Sequence, residues 1–122
     1  MARRKTPLDR VREICLALPE AIEKEAWGGP TFRVKKMFAM FVDNHHGDGR
    51  VALWIKSTAE DQDVLVDNEP ERFFVPPYMG ASGWVGVRLE KGRVDWGVVE
   101  ELVEDGYRLV APKKLAAQLD ER

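Results

Sequence analysis

"MFAMFVDNHHGDGRVALWIK", residues 37–56, holds two bulky apolar runs around a polar segment with Gly47 and Gly49 where a chain reversal wants left-handed backbone. Met, Phe, Val, Leu, Trp and Ile crowded into runs this short suit a pleated sheet, and the glycine-bearing "NHHGDG" suits the loop of a hairpin. The two runs therefore pair antiparallel. Outward on either side, "TFRVK" (31–35) and "GWVGVRL" (83–89) alternate. Alternation sends Phe32 and Val34 to one face, with Thr31, Arg33 and Lys35 on the other. In the second run it separates Val85, Val87 and Leu89 from Trp84, Gly86 and Arg88.

Helices bracket these strands. Thr6 is an N-cap followed by Pro7 at the first helical position, and Leu8, Val11, Ile14, Cys15 and Leu18 recur at helical spacing until Pro19. Residues 57–70 read as a helix capped by Ser57 or Thr58, with Val64 and Leu65 as its apolar contacts and Pro70 beyond its end. From Asp95, the positions Val99, Leu102, Val103, Gly106 and Val110 keep a 3.6-residue period, and the glycine within it marks close packing on the sheet. Pro112 opens a last helix that buries Leu115 and Leu119. This order predicts one α+β domain over residues 1–122, an antiparallel sheet with helices packed on one face. Phe38, Phe41, Leu53, Ile55, Val85, Val87, Leu102 and Val103 form its expected core. The parity conflict between Phe38 and Phe41 calls either for strands covered on both sides or for a bulge, placed at Lys36.

A chain of 122 residues and 13.9 kDa buries a core without disulfides. Cys15 has no cysteine to pair with, no apolar run is long enough to span a bilayer, and "MARRKTPLDR" lacks a signal-peptide core, so a cytoplasmic location with no membrane contact is expected. The formal charge is −2 with unevenly placed charges: residues 60–71 carry six acids and no base, whereas residues 26–42 carry Arg33, Lys35 and Lys36 and no acid.

Three candidate sites read as ordinary structure. Gly80, Gly83 and Gly86 lead into a strand rather than out of one into a helix, so "PPYMGASGWVGVRL" (76–89) is a turn and not a phosphate cradle. In it, Pro76 and Pro77 set an extended approach, and Tyr78 is expected to anchor the loop by burying its ring. His45 and His46 point apart in extended chain and lack helical spacing, so no metal site is expected. The acids Glu100, Glu101, Glu104 and Asp105 form a solvated helix face. No nucleophile–base or cofactor constellation appears, and no enzyme and no cofactor are expected. The set with chemical content is aromatic and basic: Trp54 with Lys56, Trp84 with Arg88, and Arg33 with Lys35 and Lys36. Such a mixture suits stacking on bases and contact with phosphates; the alternative is that the tryptophans plug the edge of the core and the basic stems cover them.

The segments "FRVKKMFAMF", "LWIKS", "RFFVPPYMGASGWVGVRL" and "YRLVAPKKL" together resemble the YjbR/MmcQ family over nearly the whole chain. The resemblance implies a CyaY-like or secretion-chaperone-like α+β fold. It also implies a "double wing" DNA-binding role without an agreed enzymatic activity, with wings at residues 38–55 and 84–94. DNA is the expected partner, bound through Arg33, Lys35, Lys36, Trp54, Lys56, Trp84 and Arg88 with help from residues 3–5. A protein-interaction module using the acidic surface is the second expectation. A small-molecule or enzymatic pocket near Tyr78, Trp84 and Lys56 is the third.

Overall fold

The computed structural model describes residues 5–44, 47, 49–90 and 94–121. Helix α1 (Pro7–Leu16) starts at Thr6, whose hydroxyl accepts from the Asp9 amide while the Asp9 carboxylate accepts from the Thr6 amide, a reciprocal cap. Strands β1 (Ile22–Ala26), β2 (Gly29–Val34), β3 (Lys36–Asp43) and β4 (Val51–Ile55) follow as successive antiparallel partners. After α2 (Ala59–Asn68) come the two-residue β5 (Phe73–Phe74) and β6 (Val85–Arg88), then α3 (Trp96–Val110) and α4 (Lys113–Leu119). The six strands lie in the order β1-β2-β3-β4-β6-β5, antiparallel throughout. Among the described residues no helix is long and apolar enough to cross a membrane.

One core lies between the sheet and the helices. Phe38, Phe41, Leu53, Ile55, Val85, Val87 and Val103 are buried in it, with Leu102 packed against it, as the sequence led us to expect. The bulge that reconciles their parity is not at Lys36. Phe32 pairs with Ala39 and Arg33 with Met37, which leaves Phe38 as the extra residue and puts both Phe38 and Ala39 in the helix-side core. The driving force is the Phe38 ring, which is fully buried and meets Tyr107 edge-on at 5.5 Å, whereas Lys36 stays exposed. Gly106 of α3 faces the sheet as its position implied, since a Cβ there would stand 2.7 Å from the Lys56 carbonyl oxygen.

The other sheet face also holds a core, so the sheet is both bulged and covered on both sides, the two alternatives the parity conflict left open. Met40, Val42, Ala52, Trp54, Phe74 and Trp84 are buried there, with Met37 and Met79 packed alongside. Part of the cover is the 75–84 loop, which a buried Gln62 on α2 pins down: its Nε2 donates to the Gly80 carbonyl at 2.9 Å and the Trp84 carbonyl at 2.6 Å. Gln62 is the buried residue of α2, whereas Val64, expected as an apolar contact, is 57% exposed. Tyr78 also departs from expectation. It adopts φ +66° and is 80% exposed, and Met79 is the loop residue that packs inward.

Candidate nucleic-acid interface

Cross-strand register assigns every strand residue to a face. Lys24 lies opposite Thr31, Arg33 opposite both Ile22 and Met37, Met40 opposite Trp54, Trp54 opposite Gly86, and Arg88 opposite Ala52. All of these share the helix-free face. The acidic strand residues Glu23, Glu25 and Asp43 fall on the helix side, where Glu23 takes a bidentate ion pair from Arg12 of α1 with N–O distances of 2.9 Å. The face therefore carries Lys24, Arg33 and Arg88 on its strands, with Glu90, just past β6, as the carboxylate beside Arg88.

Two further features complete it. Arg50, just before β4, places its guanidinium 4.1 Å above the Phe74 ring, a cation–π contact that roofs the second core. Trp27 and Gly28 are the two residues between β1 and β2, both at positive φ (+52° and +83°), as in a primed hairpin turn. Gly29 and Pro30 lie inside β2, where they pair with Ala26 and Glu25. Trp27 is consequently displayed, 67% exposed, with the Arg33 guanidinium 5.7 Å from its ring. Arg33 is further held by donating to the Thr31 hydroxyl at 3.1 Å.

The expected site residues divide into three groups. Arg33, Trp54, Trp84 and Arg88 do meet on one face. Trp54 and Trp84, however, are only 2% and 4% exposed, so they are the floor of the patch and are not available as stacking surfaces. Lys35 and Lys36 are exposed at the tight β2–β3 turn, where Lys35 takes φ +63°. Lys56 is elsewhere. It lines a groove between α2 and α3 together with Asp61 and Asp105, because the chain beyond β4 passes beneath Gly106. That groove includes neither Tyr78 nor Trp84, so the three residues of the pocket reading do not share it.

Arg88 has a Nε that is buried with no hydrogen-bond partner among the described residues, and its Nη1 lies 4.0 Å from Glu90. Of the N-terminal arm, Lys5 is ion-paired with Glu13 at 2.8 Å, and Arg3 and Arg4 lie outside the described residues. His45, His46 and Asp48 of the hairpin tip also lie outside them, as does the 91–93 part of the second expected wing. What is described of that wing is β6, which pairs with β4 and β5. Lys24, Trp27 and Arg50 were missed from the sequence. The signal for Trp27 was present, since a residue followed by glycine between two extended runs is a two-residue hairpin turn.

An antiparallel sheet with helices on one face and strand cations on the other defines a small α+β domain. The YjbR family matches residues 16–109, and the chain belongs to that family. It is similar in structure to the Deinococcus radiodurans protein DR2400, a DUF419 domain, with a TM-score of 0.72 at 23% identity over 93% of this chain and 87% of that one. No curated protein matches the chain.

Proposed function

We propose that the protein is a non-enzymatic cytoplasmic DNA-binding domain that holds DNA weakly and without sequence preference on its helix-free sheet face. The observation that carries this reading is the separation of charge by face. Lys24, Arg33 and Arg88 occupy the strands of that face with Arg50 beside them, while the strand acids fall on the helix side. Lys35, at the β2–β3 turn, extends the basic surface at one end, with Lys36 beside it on the helix-side parity of Val34, and Trp27 offers an exposed ring backed by Arg33 at the other. Phosphate neutralisation by such side chains supplies sequence-independent affinity. Buried Trp54 and Trp84 stiffen the platform, and Trp27 is the residue placed to stack on an unpaired base.

Fluorescence anisotropy with a labelled duplex and a labelled single strand tests this reading. Binding to both is expected at low salt, weakening steeply as salt is raised. Absence of binding to either at about 10⁻⁴ M protein, the weak end of ordinary non-specific affinity, rejects the reading.

A further inference from the structure

The far side of the molecule carries a second surface with different chemistry. Between α2 and α3 runs an open groove of about 430 Å³. Ile55 and Val85 of the sheet, with Leu65 and Leu102 of the two helices, give it an apolar floor. Its walls display Val64 and Leu109, 57% and 49% exposed. Helix α2 covers the core only in part: its buried residue is a glutamine, Leu65 and Val66 pack half-buried against the core, and Val64 is exposed at the groove.

Charge identifies the occupant. Helix α2 carries Glu60, Asp61, Asp63 and Asp67 without a base. Helix α3 carries Glu100, Glu101, Glu104 and Asp105 with one base, Arg108, whose guanidinium is engaged with Asp120 at 2.9 Å. Of these acids Asp61 and Asp105 stand in the groove lining, one on each helix, with Lys56 as the remaining cation beside the engaged Arg108, whereas Glu100 and Glu104 turn toward α1. An apolar trough with a carboxylate on each wall is complementary to a helix with an apolar stripe and basic flanks, which buries leucine-like anchors and places ammonium groups against Asp61 and Asp105. We propose that the α2–α3 groove binds a basic amphipathic helix of a protein partner. The site shares none of its lining with the cationic face, so this inference stands whether or not the protein binds DNA.

The test uses a fluorescent lysine-rich peptide of about four helical turns with leucines at i, i+4 and i+7, and the same peptide with glutamate for lysine. Amide chemical-shift mapping on the isotope-labelled full chain locates the site. The lysine peptide is expected to shift residues of α2 and α3 around Val64, Leu65, Leu102 and Leu109, leaving Arg33 and Arg88 unmoved. Asp61→Lys with Asp105→Lys is expected to weaken it about tenfold, as two near-surface charge pairs allow. Val64→Ser with Leu109→Ser, at side chains too exposed to be needed for folding, is expected to weaken it at least as much. Equal binding of the glutamate peptide, shifts mapping to the cationic face, or no groove shifts at millimolar peptide would overturn the proposal. Groove shifts that grow with protein concentration alone would overturn it too, by assigning the groove to a second copy of this chain.

Discussion

Gly106 shows how much one residue can reveal. A glycine in the middle of an otherwise regular amphipathic helix gives up about 1 kcal/mol of helix propensity, so something must require it. That something is the Lys56 carbonyl oxygen at 2.7 Å and the Ile55 Cγ2 at 3.0 Å from where a Cβ would stand. Gly106→Ala is therefore expected to destabilise the fold by about 1–2 kcal/mol in urea unfolding, the crowding outweighing the gain in propensity. Cys15 makes a second prediction at this scale. Its thiol is fully buried on α1, and burial first, then the charge of Glu23, pushes its pKa well above the ordinary value. A raised folded-state pKa means that the unfolded chain loses the proton first. The thiol's contribution is therefore complete below about pH 8.5 and declines as pH rises through the alkaline range, by up to about 1.4 kcal/mol per pH unit. The urea midpoint should fall above that pH. In Cys15→Ala the decline should be absent until tyrosine ionisation begins near pH 10, where Tyr107, also raised by burial, takes over.

Among the elements, α1, the β3–β4 hairpin and α3 were legible because each carries a local signal that tertiary structure reinforces: a Thr6 cap, a glycine-bearing loop between apolar runs, a 3.6-residue stripe. The second core was legible as an alternative, through the parity conflict and the paired tryptophans, but its cover was not. Alternation told us that Trp84 and Arg88 share a face, but a two-residue period says nothing of what covers that face, and the cover is a loop held from a distance in sequence. Gln62 read as one more polar residue of an acidic helix, although it reaches 18 and 22 residues along the chain to Gly80 and Trp84. The basic half of the candidate site was visible at Arg33, Lys35, Lys36 and Arg88, while Lys56 was misplaced because strand parity was carried past the end of β4. Replacing Gln62 by Leu would take the Gln62 donor from the buried Trp84 carbonyl and leave the Gly80 carbonyl with the Gly83 amide, at about 1–3 kcal/mol. The loss should be local in its dynamics. Hydrogen exchange is expected to accelerate in residues 79–84 of Gln62→Leu while β3 and β4 keep their protection, and uniform acceleration would show that the loop is not an independent cover.

For the whole molecule, a net charge of −2 and a DNA-binding role conflict only if charge is treated as a single number. The cations of the sheet face and the acids of α2 and α3 are on opposite sides, and at about 0.1 M salt a Debye length near 10 Å screens much of the influence of one side on the other. Counterion release counts phosphates touched, not total charge, so about four contacts give a log–log salt slope near −3.6. Arg33→Ala with Arg88→Ala should lower the magnitude of that slope by about two contacts' worth, near 1.8, and weaken binding at every salt concentration. Asp61→Asn with Asp105→Asn, on the far side, should leave the slope unchanged and improve affinity only at low salt, where screening is weak. Both variants are measured against wild type by anisotropy across a salt series. If the Asp variant changed the slope, or the Arg variant did not, the phosphates would be meeting some surface other than the helix-free face of the sheet.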